Sequence, residues 1–222
     1  SLGNVVSPTS VLEHYNLEHP DAFRYYMATS APCGRDGNYS DLDFKEKVNA
    51  HLANSMGNLL NRSLSMLVKY FDGEIKEEFL TNRSKEAESL LRTALGTVKI
   101  VENHFNHFEI QEAAQAIISI VDATNKFVTD NAPWTLAKEE KMTECGQVLA
   151  TVLEVMCVIS SLIYPYCPNI AADMAKQLSY DLSKKLDDVT TTNLKAGKLI
   201  SKEEIHPVFL RVDSELADKS KK

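Results

Sequence analysis

Apolar residues return at three- and four-residue steps in several long stretches of the chain, separated by short polar breaks, which predicts amphipathic helices packed into a bundle. The first such set is Leu52, Met56, Leu59, Ser63, Leu67 and Phe71, in a segment that opens on Ser40 and Asp43 at capping-box spacing and runs to about Tyr70, ahead of Gly73. The second is Leu90, Leu91, Leu95, Val98 and Val101, between Ser84 and His104. The third is Ala113, Ala114, Ile117, Ile120, Val121 and Val128, between Ile110 and Asp130. Met142 to Tyr164 is apolar nearly all round, as a central helix should be, and a shorter helix after Pro168 uses Ile170, Met174 and Leu178. Long helices with short connections predict antiparallel neighbours. The expected fold is therefore mainly α, an antiparallel helix bundle over residues 40–180.

The two ends read differently. Residues 1–39 read as a small α/β segment. In it Ser1 to Val6 forms a strand, helices start at Ser7-Pro8 and after His19-Pro20, Pro32, Gly34 and Gly37 break the chain, and Asn38-Tyr39 forms a short strand. Beyond Tyr180 the periodicity fades. Residues 181–222 read as a C-terminal arm, with Leu199 to Val212 as a helix or an extended packed segment and Leu216 to Lys222 as a mobile basic tail.

Composition narrows the function. With 222 residues, 44% of them hydrophobic, the chain can bury a real core. A net charge of −7 excludes a bulk basic field, so any nucleic-acid contact must come from a local patch and from base recognition. Cys33, Cys145, Cys157 and Cys167 form no C-x-x-C pair and read as reduced thiols of a cytoplasmic protein, with Cys157 in the core. The start of the chain has no secretory pattern, and Glu154 inside the longest apolar run argues for a buried helix and no membrane span. The six histidines have no metal-ligand spacing, and no phosphate-cradling glycine loop is present, so no catalytic set and no metal site are expected.

Two features carry candidate chemistry. The face opposite the first apolar stripe bears Asn54, Asn58, Asn61 and Arg62, although Asn in a helix interior costs roughly 0.5–0.7 kcal/mol relative to Ala. Amides offering both donor and acceptor, one turn from a forked guanidinium, can read the edge of an unpaired base. The alternative is a poorly optimised solvent face. The second feature is Ala132-Pro133-Trp134, with the one tryptophan of the chain. Proline should hold Ala132 extended and stiffen the corner, aiming the indole for base stacking. An ordinary core tryptophan is the competing reading.

Several separated motifs, in the expected order, resemble those of the methionyl-tRNA synthetases, in the part that recognises the anticodon. Ser1-Leu2-Gly3-Asn4-Val5 resembles the tail of that family's Lys-Met-Ser-Lys-Ser signature loop. Asp21-Ala22-Phe23-Arg24-Tyr25-Tyr26 resembles the Asp-Ala-x-Arg-Tyr-Tyr segment of related class I synthetases, and Phe44 through Arg62 and Asn125 through Trp134 resemble the two methionyl-specific anticodon segments. Similarity covers roughly residues 1–178.

The resemblance implies that residues 1–39 are a stem-contact segment, with Arg24 and Arg35 as candidate phosphate contacts, and that residues 40–180 bind the anticodon loop of methionine tRNA. Trp134 would stack the first anticodon base, a cytosine, with Pro133 in the same platform. Asn54, Asn58 and Arg62 would line the base's hydrogen-bonding side. Family members often carry acidic residues just before Ala-Pro-Trp, where this chain has Val128-Thr129-Asp130-Asn131, so no residues are assigned to the second and third bases. The His-x-Gly-His signature is absent and the signature-loop lysines would precede Ser1. ATP and Mg²⁺ are thus expected in a catalytic domain of the same polypeptide, with no cofactor here, and this chain is expected to bind without aminoacylating. The basic end resembles a linker toward an appended domain. Two rivals stand: the helical domain of another class I synthetase, and a helical protein-interaction module suited to the acidic charge.

Overall fold

The computed structural model describes residues 6–35, 37–182 and 185–212. The expected strand at Ser1 to Val6 lies almost wholly outside the described residues, as does the basic tail from Leu216. Helices α1 (Pro8–His14) and α2 (Asp21–Ser30) precede a long continuous helical rod made of α3 (Asp41–Val48), a π-helical segment (Asn49–Gly57) and α4 (Asn58–Phe71). There follow β1 (Glu74–Ile75), the one-turn α5 (Glu77–Leu80), the long α6 (Lys85–Asn106) and α7 (Ile110–Asn131), and the short α8 (Pro133–Lys138). Then come α9 (Met142–Ile163), α10 (Pro168–Gln177) and, far along the arm, β2 (Gly197–Lys198). The described residues hold one small sheet, in which β1 pairs antiparallel with β2, Glu74 opposite Lys198. Asn38-Tyr39, expected as a strand, pairs with nothing in that sheet. The Tyr39 ring instead packs among Phe23, Tyr26 and Phe44, which gives this stretch an anchor that needs no ladder.

The central helix is α9. From Cys145 to Ile163 every residue but Gln147 is buried, because α4, α6, α7, α8 and α10 all pack on it. It is also the one helix among the described residues long and apolar enough to cross a membrane, and that apolar surface is spent on the bundle core. Ser40 starts the rod by accepting the Asp43 N–H on its hydroxyl. The reciprocal half of the capping box is replaced by the Tyr26 hydroxyl, which accepts the Ser40 N–H at 3.1 Å.

The Asp-Ala-x-Arg-Tyr-Tyr segment docks the N-terminal helices onto the bundle. The Asp21 carboxylate, 1% exposed, accepts the Ile170 N–H and the Asn169 amide at 2.8 Å each, capping the first turn of α10. Arg24 donates from Nε to the Tyr166 carbonyl at 3.2 Å and from Nη2 to the Pro165 carbonyl at 3.0 Å, so its fork holds the turn between α9 and α10. Tyr25 is joined through its hydroxyl to His51 Nδ1 at 2.7 Å.

The arm beyond α10 is an extended packed segment with two single 3-10 turns, Leu186–Asp188 and Lys202–Glu204, where either a helix or a packed extension was expected. It is fastened to the bundle by buried polar side chains. Glu154, with no exposed surface in the middle of α9, accepts the Leu194 N–H at 3.0 Å and both the backbone and side-chain N–H of Asn193. Gln177 donates to the His206 carbonyl, and Asn49 pairs in both directions with the backbone of Val212.

Two stability tests follow from this packing. Glu154→Ala should strand three N–H donors or release the arm, costing about 3 kcal/mol in urea unfolding. A loss below about 1 kcal/mol would mean that the arm is held elsewhere. A Cβ on Gly57 would stand 2.8 Å from the Leu52 carbonyl oxygen, whereas one on Gly96 in α6 would meet open space. Gly57→Ala should therefore destabilise by about 1–3 kcal/mol, and Gly96→Ala should stabilise by up to about 1 kcal/mol through helix propensity. Equal effects at both sites would contradict the tight i→i+5 turn.

Candidate nucleic-acid interface

The rod's apolar stripe is buried as its spacing predicts: Leu52, Met56, Leu59, Ser63, Leu67 and Phe71 all face the core. On its other side Asn54, Asn58 and Arg62 are exposed, and Asn61 is half-buried. The rod is not α-helical throughout. In the π segment the hydrogen-bonded ring widens to i→i+5, so that the Asn58 N–H donates to the Ala53 carbonyl. A carbonyl as close as that of Leu52 is to Gly57 leaves no room for a side chain there, which is a local reason for this glycine.

Helix α7 lies along the same face and is stitched to it. Ser55 donates its hydroxyl proton to Asp122 at 3.0 Å. Asn125 does more: its amide nitrogen is 3.3 Å from the Ser55 carbonyl, and its amide oxygen accepts from Arg62 Nη2 at 3.3 Å. One amide thus joins the π segment, the guanidinium and α7, which fixes one side of the Arg62 fork and leaves its other N–H groups available. This bridge joins the stretch Phe44 to Arg62 to the start of the stretch Asn125 to Trp134. In the sequence pattern Asn125 marks only the start of the segment that ends at Trp134. The signal that marks Asn54 and Asn58, an amide at a mid-helix position where it costs stability, marks Asn125 equally.

About two helical turns beyond Asn125, α7 ends at the Ala132-Pro133-Trp134 corner. Ala132 is not extended as the following proline suggested. Its φ of 39° and ψ of 64° place it in the left-handed region, because one residue must end α7 and start α8 at once. Its N–H still reaches the Val128 carbonyl and its own carbonyl accepts the Thr135 N–H at 2.7 Å. Strain of this kind in a non-glycine residue costs on the order of 1–3 kcal/mol and persists only where the surroundings enforce it. Here Pro133 is buried at the first helical position, and its carbonyl accepts the Cys145 thiol at 3.3 Å. Burial pushes that thiol up to about 11, so it stays protonated and able to donate at neutral pH. Trp134 comes next, half-buried: it packs against the core while part of its surface remains open.

The neighbouring cleft between α2, the rod and α7 is lined by Tyr25, Lys47, His51, Gln111 and Gln115. Burial, with the Lys47 charge acting in the same direction and the Asp122 carboxylate opposing it, holds the His51 imidazole below its ordinary value, which favours its neutral form. Of the two candidate phosphate contacts, Arg24 sits on the α9–α10 turn as described and Arg35 is exposed in the turn after Pro32. Neither lies in the Asn54–Trp134 surface. No group of three or more His, Cys, Asp or Glu side chains suited to a metal ion occurs among the described residues.

Comparison with known proteins agrees with this architecture. Residues 81–220 match the family model of the anticodon binding domain of methionyl tRNA ligase, and residues 1–64 match that of the class I (M) tRNA synthetases. A methionine–tRNA ligase of Listeria monocytogenes is 35% identical over 220 residues, covering 97% of this chain and 32% of the relative. One from Nostoc is 35% identical over 221 residues, covering 96% and 41%. Among solved structures, apo methionyl-tRNA synthetase of Mycobacterium tuberculosis superposes with a TM-score of 0.85 at 28% identity, over 95% of this chain and 42% of that one. The same enzyme bound by methionyl-adenylate gives 0.84 at 29% identity, over 95% and 41%. The chain spans between about a third and two fifths of the length of these curated relatives. On this match, which takes in well over half of its residues, the chain belongs to the methionyl-tRNA synthetase family, with residues 81–220 matching the family's anticodon-binding domain.

Proposed function

We propose that this chain recognises the anticodon loop of methionine tRNA as the C-terminal part of a cytoplasmic methionine–tRNA ligase. The observation that supports it most is the Arg62–Asn125–Ser55 bridge, which makes one surface of two distant stretches of sequence and leaves Asn54 and Asn58 exposed beside it. On this reading the first anticodon base is splayed from the loop and stacks on the open part of Trp134, held by a corner too stiff to follow the base away. Stacking of this kind is worth about 1–3 kcal/mol per base.

Selectivity then comes from the amide row. Cytosine presents an amino donor beside ring acceptors, which suits an Asn carbonyl next to the remaining N–H groups of Arg62. Uracil would set its O4 acceptor against the Asn carbonyl and leave both unpaired, a mismatch that a polar site rejects strongly. The acidic net charge favours such base readout over tracking of phosphates. Arg35, exposed and outside the reading surface, is retained as a candidate phosphate contact, and Arg24 keeps only the N–H groups not spent on the α9–α10 turn.

In the whole ligase, ATP with Mg²⁺ would activate methionine in a catalytic domain outside these residues, and the present chain would bind tRNA without aminoacylating it. The amide and guanidinium set together with the Ala-Pro-Trp corner favours this reading over the helical domain of another class I synthetase or a protein-interaction module.

The test is direct. The chain should bind an anticodon stem-loop beginning with cytosine at least tenfold more tightly than one beginning with uracil, measured by titration at one fixed salt concentration. Trp134→Ala should weaken binding to the cytosine loop by tenfold or more while shifting the melting temperature by only a few degrees. Equal affinity of the unaltered chain for both loops would reject base readout, and a collapse of thermal stability in Trp134→Ala would return the indole to a core role.

A further inference from the structure

In an α-helix, residues four apart overshoot a full turn by about 40°, so Asn54, Asn58 and Arg62 on an uninterrupted α-helix would fan across roughly 80° of its surface. The i→i+5 ring takes more than four residues to complete a turn. The step from Asn54 to Asn58, which runs through the end of the π segment, therefore falls short of a turn where an α-helix would pass it. On that geometry Asn54 would be swung back toward the line of Arg62, narrowing the strip that the three side chains occupy. Alignment of the row thus depends on the π register.

That register is gripped from outside, at both ends, by the C-terminal arm. Asn49 opens the π segment and is 6% exposed; its Nδ2 donates to the Val212 carbonyl at 2.9 Å and its Oδ1 accepts the Val212 N–H at 2.8 Å. Gly57 closes the segment, and Val208 covers it, 3.7 Å from where a Cβ would stand. The stretch Val208 to Val212 therefore reaches both ends of the segment. Buried backbone groups that lose such partners pay their full desolvation cost, so the pairing resists opening.

We infer that Asn49 is a positioning residue for base reading: by fastening the end of the arm, it keeps Asn49–Gly57 in its π register and Asn54 in line with Asn58 and Arg62. The inference rests on the anticodon-reading proposal above and adds to it a residue that is buried and contacts no base. It also gives the arm, more than 160 residues further along the chain, a part in specificity.

Two readouts on the 222-residue chain test it. Backbone amides of residues 53–58 should exchange with solvent at least tenfold faster in Asn49→Ala, with α9 unchanged. The ratio of affinities for cytosine-first and uracil-first stem-loops should fall at least fivefold in the same variant. Unchanged exchange, or faster exchange with an intact ratio, would overturn the inference. If Asn49→Ala does not fold, Val208→Ala at its half-buried position carries the same two expectations and the same refutations. An unaltered chain that binds both loops equally would defeat the anticodon reading and this role with it, whereas discrimination kept whole in Asn49→Ala would defeat this role alone.

Discussion

The structure depends on how its few buried polar side chains are spent. Most of the buried hydroxyls, such as those of Ser63, Thr124, Thr151 and Ser160, bond back to the carbonyl four residues earlier in their own helix and ask nothing of the rest of the fold. Asp21, Asn49, Glu154 and Gln177 behave otherwise. Each is nearly or wholly buried, and each finds its partners on a segment outside its own helix: Asp21 on α10, and the other three on the arm. An unpaired carboxylate or amide at such a depth would cost several kcal/mol, so these four positions fix where the irregular parts of the chain must lie. The apolar core makes a bundle. These polar anchors make it one particular bundle, with the end of its arm seated against the buried ends of the π segment.

This division explains what could be read from the sequence. The helices α6, α7, α9 and α10 follow from period alone, because burial of one stripe, or of the whole circumference for α9, dominates their energetics. The one-turn α5, the two-residue strands and the course of the arm have no period to read. Their positions are set by contacts such as Glu154 with Asn193 and Leu194, between residues some forty positions apart. Glu154 was visible as an anomaly in an apolar run. That it argues against a membrane span can be read from one sequence, but the partner that satisfies it cannot.

The reading surface shows the same pattern. Asn54, Asn58, Arg62 and Trp134 stand out because each is costly or rare where it is, and exposure of the row agrees with its spacing. The π segment was illegible, since no propensity separates it from the α-helix on either side; only the absence of a side chain at Gly57 hints at it. The corner at Ala132 went the other way. The rule for a residue before proline gave an extended backbone, and the need to turn directly from one helix into the next imposed a left-handed one. A strained corner supporting the lone tryptophan suits a rigid platform better than an extended linker would.

Because Trp134 is the one tryptophan in the chain, its emission reports on this surface without interference from any other indole. Titrating the chain with a stem-loop whose anticodon begins with cytosine should quench that emission in step with binding, as the base settles on the ring. Saturable binding with the emission unchanged would place the loop elsewhere and contradict the account.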